Sequence, residues 1–370
     1  MGEGERSGDG RKTGEEVDAG ALFVLKSKGT WWHCGFHLTT SIVAPPLLSL
    51  PYAFKFLGWA AGLSCLVGGA AVTFYSYTLL SLTLQHHASL GHRYLRFRDM
   101  AHHILGPKWG TYYVGPIQMA VCYGVVIANT LLGGQCLKAI YLIMEPNGEM
   151  KLFEFVILFG GLLLVLAQIP SFHSLRHINF FSLVLCLLYS ALAAAASIII
   201  GNKSNGPEKD YAIVGDKETK VFGIFNAMAI IATTYGNGII PEIQVYLQPI
   251  NDILESALGD PTKKEFSIRN VIPRLAARSL FVVVATIFAA MLPFFGDVNS
   301  LLGAFGFIPL DFVLPVVFFN FTFKPSKKSF IFWINTIIAV LFSCLGVIAM
   351  VAAVRQIVLD AKTYKLFADV

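Results

Sequence analysis

Nine apolar segments follow one another along the 370 residues of this chain, separated by shorter polar stretches. Each is about as long as the roughly 20 residues that a helix needs to cross a lipid bilayer. Helices satisfy their own backbone groups in lipid, so the pattern predicts an all-α, polytopic membrane protein. The predicted spans are residues 35–57, 58–84, 112–143, 152–170, 178–200, 221–243, 275–296, 298–323 and 329–354.

Two of the predicted spans are interrupted near their middle. Ala44–Pro46 stands inside the first span, and Tyr235–Gly238 stands inside the sixth, where Pro241 follows. Proline removes a backbone donor and clashes with the preceding turn, while glycine lets the backbone open and approach a ligand closely. The freed backbone groups are tolerated in lipid only beside protein or a water-filled cavity. Paired breaks in the two halves of a chain therefore point to the binding site of a secondary transporter.

The first break also indicates what it could bind. The half-helix that resumes near Leu47 presents its N-terminal end to the gap, and this end of the helix dipole suits a carboxylate. The alternative interpretation is a proline kink that packs against neighbouring helices and binds no ligand. The presence of a second break favours the ligand site.

Four polar side chains stand out within the apolar spans. Glu242 and Asp311 are acids at membrane depth, where a charge is costly and usually marks an ion or proton path. Prolines flank Asp311 and are expected to open the backbone around it. Alternatively, Glu242 lies in water at the cytosolic edge, and Asp311 makes a structural hydrogen bond to a neighbouring helix. Tyr123 and Asn129 in the third span are expected to line the same cavity, unless Tyr123 serves only in packing.

Composition agrees with this picture and narrows the function. Hydrophobic residues make up 55% of the chain and charged residues 14%, and the mean hydropathy is +0.64, far too apolar for a soluble protein of this length. The net charge of +5 is dispersed among loops, so no nucleic-acid partner is expected. No phosphate-binding, dinucleotide-binding or common catalytic motif occurs, so neither enzyme activity nor a cofactor is expected. The six cysteines lie in or beside apolar spans and are interpreted as buried small side chains, not metal ligands.

Positive charge predicts the orientation of the chain. With the N-terminus inside, 18 of the 28 Lys and Arg residues fall on the cytosolic side, in agreement with the positive-inside rule. Nine spans then place the C-terminus outside. The predicted organisation is a disordered cytosolic tail (1–28), six spans (29–244), a cytosolic connector (245–274), three spans (275–354) and a C-terminal tail (355–370).

Several short motifs resemble the amino acid/auxin permease family. Leu47–Phe54 together with Leu57–Trp59 resembles the first span of that family, and Pro241–Gln244 and Tyr246–Asp252 are similar to its later motifs. Within the family the chain most resembles the plant γ-aminobutyric acid (GABA) transporters, over nearly everything after residue 28. The resemblance implies two inverted five-helix repeats plus a final helix, and proton-coupled uptake of amino acids. We expect the plasma membrane as the location.

The resemblance also implies where the substrate is held, namely where spans one and six unwind. Carried over by position, the substrate-binding residues are Ile42, Val43, Ala44, Pro45, Pro46, Thr234, Tyr235, Gly236 and Asn237. Many family members have a small Gly-rich stretch where this chain has Ala44–Pro46, so contacts in the first break are expected to differ. The sequence indicates no oligomeric state.

One departure from the family is large. In the family, the motif at Pro241–Gln244 leads into a seventh span and then an eighth, and the motif at Tyr246–Asp252 closes the eighth. Here Gln244 is followed directly by Val245. Two spans are therefore expected to be missing, which leaves the second repeat incomplete but keeps the orientation of every later span. The alternative to a working transporter is a shortened form that does not transport and at most associates with full-length copies.

Overall fold

The computed structural model describes residues 39, 45–92, 94, 97–168, 176–202, 216–236, 267–292 and 294–363. Helices dominate these residues, and no strand occurs among them. The main helices are α1 (Leu50–Ser89), α2 (Phe97–Leu105), α3 (Gly115–Met144), α4 (Leu152–Ala167), α5 (Arg176–Gly201), α6 (Lys217–Thr234), α7 (Ile268–Met291), α8 (Phe295–Leu302), α9 (Leu314–Phe323) and α10 (Phe330–Thr363). A 3₁₀-helix, Pro45–Ser49, precedes α1, and a π-helical segment, Gly303–Val313, joins α8 to α9.

Six helical stretches of the described chain are long and apolar enough to cross a membrane: Leu47–Ser89, Pro107–Met144, Phe180–Gly201, Ile268–Met291, Phe295–Phe323 and Phe330–Ala361. The first contains both the end of predicted span one and predicted span two. The shorter apolar helix α4 and the helix α6 stand at the places of predicted spans four and six. These helices confirm the all-α, polytopic architecture. Helix α7 begins before the span predicted from hydropathy, and α10 continues beyond its predicted end.

A glycine separates the first two spans within α1. Gly58 has φ 71° and ψ 175°, a left-handed backbone conformation that side-chain-bearing residues rarely adopt. Phe54, before this glycine, meets Trp59 after it, with ring centroids 5.4 Å apart. The sequence-based boundary between residues 57 and 58 therefore lies at the point where the backbone leaves the helical conformation.

The resumed first span packs against the first half of the sixth. Ala53 and Phe56 on α1 form a buried apolar cluster with Ala227 and Ile230 on α6. A Cβ atom at Gly223 of α6 would collide with the Phe56 ring, so this glycine allows the two helices to approach closely. The two interrupted spans are thus neighbours, which brings the ends of both breaks towards one region.

Polar contacts at the helix ends define the two ends of the bundle. At one end, His87 Nε2 of α1 lies 3.2 Å from Thr322 Oγ1 of α9. At the other end, Arg355 of α10 forms an ion pair of 3.5 Å with Glu218 at the start of α6. Helix α10 connects these ends, since it starts shortly after α9. The end of α1 therefore lies beside the end of α9, and the start of α6 lies beside the end of α10.

An apolar cleft of about 500 Å³ opens where the second part of α1, α6, the π-helical segment and α10 meet. Its walls include Cys65 and Gly69 of α1, Ile231 of α6, and Phe312 and Cys344 further along the chain. An amino acid carries an ammonium and a carboxylate group, and these need polar partners when they are removed from water. The described residues that line the cleft are nearly all apolar, so they offer few such partners.

Candidate functional site

Helix α6 ends where the sequence predicts the second break. Thr234 is its last residue, and the following two backbone N–H groups bond back over three residues only: Tyr235 N–H to the Ala232 carbonyl and Gly236 N–H to the Thr233 carbonyl, each 3.1 Å. Such tightened bonds are typical of a helix terminus. Thr234, Tyr235 and Gly236 therefore lie together where α6 ends, and the residues that would continue the sixth span lie outside the described residues.

Tyr235 is held by α1 through both its side chain and its backbone. Its hydroxyl donates to the Leu66 carbonyl at 2.5 Å, and its own carbonyl accepts a hydrogen bond of 3.0 Å from the Tyr77 hydroxyl. Gly236 follows without a side chain, and a Cβ atom there would collide with the ring of Phe307. The break is thus a close contact between the end of α6, α1 and the π-helical segment.

Asp311 lies at the same break although it is far from it in sequence. Its side chain is fully buried, and Oδ1 accepts a hydrogen bond of 3.2 Å from the Tyr77 hydroxyl. The segment around it is π-helical, with the Leu314 N–H bonded to the Pro309 carbonyl five residues back. The wider turn agrees with the expectation that prolines open the backbone here. The structural hydrogen bond proposed for Asp311 is present, and its role in proton transfer stays a prediction.

A second polar network joins the two broken spans on the side of α8. Asn299 Nδ2 donates to Ser49 Oγ at 3.1 Å, just before α1 begins, and the Asn299 carbonyl accepts from Thr233 Oγ1 at 2.7 Å. All three residues are buried. Next to Asn299 in the same interface, the Ser300 hydroxyl donates to the side-chain oxygen of Asn226, about two turns before Thr233 on α6. Asn299 therefore links the resumption of span one to the end of the first half of span six.

The first break is only partly within the described residues. Pro45 and Pro46 begin the 3₁₀-helix that leads into α1, so the chain there departs from an α-helix where the prolines predict it. The other predicted residues of this break, Ile42, Val43 and Ala44, lie outside the described residues, as do Asn237 and Glu242 of the sixth span. Their roles in binding and in proton coupling stay predictions.

Tyr123 and Asn129 both lie on α3. The Tyr123 ring packs edge-on against Phe281 of α7, with centroids 4.5 Å apart, and its buried hydroxyl has no hydrogen-bond partner among the described residues. Asn129 is partly buried, one and a half turns further along the helix. The structure gives Tyr123 the packing contact that sequence analysis left open. That either residue lines the substrate cavity stays a prediction.

Sequence analysis missed several residues that the structure places at or near the breaks. Tyr77, Asn299 and Ser49 are ordinary polar residues in sequence, and only their partners reveal them. Asp297 was also missed: it is buried in α8, close to the carboxyl group of Asp360 near the end of α10. Within the described parts of the chain, no group of three or more His, Cys, Asp or Glu side chains is placed to hold a metal ion.

Comparisons with known proteins give a consistent result. The family described as "Transmembrane amino acid transporter protein" matches residues 27–245 and 238–359. GABA transporter 1 of Arabidopsis thaliana is 72% identical over 451 aligned positions that cover all of both chains. The Arabidopsis lysine histidine transporter-like proteins 1 and 6 are 23% and 24% identical, with coverage of 96% and 91% of this chain and 94% and 93% of their own. No solved structure matches.

The same comparisons bear on the expected gap. The alignment with GABA transporter 1 runs over 451 positions and this chain has 370 residues, so at least 81 aligned positions have no residue here. The family matches in two parts that meet at residues 238–245. This is the junction at which two spans were expected to be missing, and 81 positions suffice for two spans of about 20 residues with their loops.

Proposed function

This chain belongs to the transmembrane amino acid transporter protein family, and from that premise we propose that it is a shortened form of a proton-coupled transporter of GABA or a similar amino acid. It is an integral membrane protein and not an enzyme. The observation that carries the choice of substrate is the 72% identity to GABA transporter 1 over the whole of both chains. The substrate region is proposed to lie where the two interrupted spans meet, beside Tyr235 and Gly236.

The geometry of the described break supports this proposal. A helix terminus leaves backbone carbonyl groups and N–H groups that a zwitterionic ligand can use. Ser49, Thr233 and Asn299 bring further hydroxyl and amide groups to the same two spans. The N-terminal end of the half-helix at Pro45–Ser49 suits the substrate carboxylate. The carbonyl groups released on the other side of the break suit its ammonium group.

The test uses a restored version, in which the residues missing at 238–245 are supplied from GABA transporter 1. We expect cells that express it to accumulate labelled GABA, with uptake that increases in acidic medium and collapses when a protonophore removes the proton gradient. Unlabelled amino acids added in competition give the substrate range. Uptake that does not depend on the proton gradient would contradict proton coupling. The absence of any amino acid uptake at normal surface expression would contradict the proposed transport function.

A second function is favoured by one specific observation, the gap of at least 81 aligned positions. In the implied fold these positions include spans that border the substrate. The chain would then not transport by itself, and it would at most associate with full-length copies. Co-purification of differently tagged short and full-length chains, with the unrelated membrane segment of another protein as a control, tests that association.

Glu242 is proposed as a proton-coupling residue together with Asp311. In the restored version, Glu242→Gln is expected to impair proton-driven uptake more than substrate binding, because an amide of similar shape cannot carry a proton. Uptake at several pH values and equilibrium GABA binding, both on matched amounts of protein, measure the two effects. Asp311→Asn is the comparison with a smaller expected effect. Wild-type pH dependence in the Glu242→Gln protein would exclude Glu242 from proton coupling.

The proposed location is the plasma membrane, with the N-terminus in the cytosol. Tags at the N-terminus and within residues 255–265 are expected to be protected in intact cells, while tags within 205–215 and at the C-terminus are expected to be accessible. The reason is the excess of Lys and Arg in the segments assigned to the inside. Impermeant labels applied before and after permeabilisation measure this. An N-terminal tag that is labelled in intact cells would overturn the whole topology.

A further inference from the structure

The Tyr77 hydroxyl lies between two hydrogen-bond acceptors from different parts of the chain. The Tyr235 carbonyl at the end of α6 is 3.0 Å away, and Asp311 Oδ1 in the π-helical segment is 3.2 Å away. Asp311 is fully buried, and Tyr77 is partly buried on α1. One side chain therefore contacts both the broken sixth span and the buried acid.

The Tyr77 hydroxyl has one hydrogen for two acceptors, and this makes the arrangement sensitive to the charge of Asp311. A tyrosine hydroxyl donates one hydrogen bond, a carbonyl only accepts, and an ionised carboxylate only accepts. When Asp311 is ionised, the single hydrogen of Tyr77 cannot serve both acceptors, and the charged one makes the stronger bond. When Asp311 is protonated, it can donate to Tyr77, and Tyr77 is then free to donate to the Tyr235 carbonyl.

We propose that Tyr77 is a positioning residue that ties the end of α6 to α1 when Asp311 holds a proton and releases it when the proton leaves. This inference rests on the proposed function. It adds a route by which a transported proton changes the order of the backbone at the proposed substrate region. Ordering the break before the substrate arrives raises the apparent affinity, because less of the binding free energy is spent on ordering. Binding of the proton then favours binding of the substrate, and the reverse. This positive coupling is what a transporter needs in order to carry both in the same direction.

Among the described residues, four further titratable groups near this contact are placed as follows. On α1, the Tyr75 hydroxyl donates to Asn335 Oδ1 of α10 at 2.7 Å. The Tyr235 hydroxyl donates to the Leu66 carbonyl and so points to α1. Cys344 of α10 lines the apolar cleft. Asp297, near the start of the span that contains Asp311, lies close to Asp360.

Hydrogen exchange on this chain in lipid nanodiscs tests the inference without a transport assay. After correction for the intrinsic pH dependence of exchange, we expect the peptide that covers residues 231–236 to exchange about three- to tenfold faster when Asp311 is ionised, the effect of about one hydrogen bond. Tyr77→Phe is expected to abolish this pH dependence. Tyr75→Phe is the matched control, since it removes a hydroxyl that bonds to α10, and it is expected to keep the wild-type profile.

The outcomes are distinct. A pH dependence that persists in Tyr77→Phe overturns the inference, and so does its loss in Tyr75→Phe. If Tyr77→Phe does not accumulate, Asp311→Asn decides, because a neutral amide is expected to give the slow exchange at every pH; a pH-dependent profile in that variant overturns the inference. Labelled GABA uptake by the restored version tests the proposed function separately, so either idea can fail while the other stands.

Discussion

Cells that express this chain alone are expected to take up labelled GABA no faster than cells with an empty vector. The two spans expected to be missing are, in the implied fold, a wall of the substrate cavity and the partner of the second span. Each backbone group without a hydrogen-bond partner in lipid costs several kcal/mol. A broken span such as the sixth therefore needs neighbouring helices that supply these partners. The described cleft beside α6 is apolar and offers no substitute for the missing wall.

The measurement compares the short chain with the restored version at matched surface amounts. Insertion and orientation are expected to be equal, because hydropathy and charge are intact on both sides of the junction. Equal surface labelling with unequal uptake would locate the defect in the substrate site and not in biogenesis. Proton-dependent uptake by the short chain, clearly above the empty vector, would refute this prediction and indicate that a second copy closes the cavity.

Gly303→Ala is expected to destabilise the helix bundle strongly. A Cβ atom at Gly303 would collide with the Ala229 carbonyl oxygen of α6 and with the Thr233 hydroxyl, and a backbone carbonyl cannot move aside as a side chain can. Overpacking of this kind typically costs about 1–3 kcal/mol or more. The collision also disturbs the bond from Thr233 to the Asn299 carbonyl, and with it the link between the two broken spans.

Thermal unfolding of detergent-solubilised protein, followed by size-exclusion chromatography, measures this effect. Gly161→Ala is the matched control, because a Cβ atom at Gly161 meets nothing within 4 Å. Since alanine favours a helix over glycine by about 1 kcal/mol, this control is expected to be neutral or slightly stabilising. Equal melting of the two variants would show that α6 and the π-helical segment are not packed as described.

Local chemistry accounts for what the sequence predicted well. Proline and glycine act on the backbone where they stand, so Pro45–Pro46 and Tyr235–Gly236 mark the departures from helix at the observed places. The same reasoning explains the helix boundary at Gly58 and the opened backbone around Asp311. These features depend on a few consecutive residues and need no knowledge of the packing.

The partners of these features could not be predicted. Tyr77 contacts residues that lie 158 and 234 positions further along the chain, and Asn299 reaches a serine 250 positions away. Hydropathy gives the length of a span but not which helix each face meets, because in lipid both an interface and an outer surface are apolar. Tyr123 illustrates this limit of hydropathy. A polar residue in an apolar span is compatible both with lining a cavity and with packing against another helix.

The apolar cleft is lined by two cysteines that can be labelled chemically. Cys65 and Cys344 line it, one partly buried and the other exposed, and so does Tyr235, which directly follows the end of α6. With the remaining cysteines replaced, these two thiols report through their rate of maleimide labelling whether anything covers that side of the bundle. Two native sulfur atoms thus allow a covered cleft to be distinguished from an open one by mass spectrometry on the same protein.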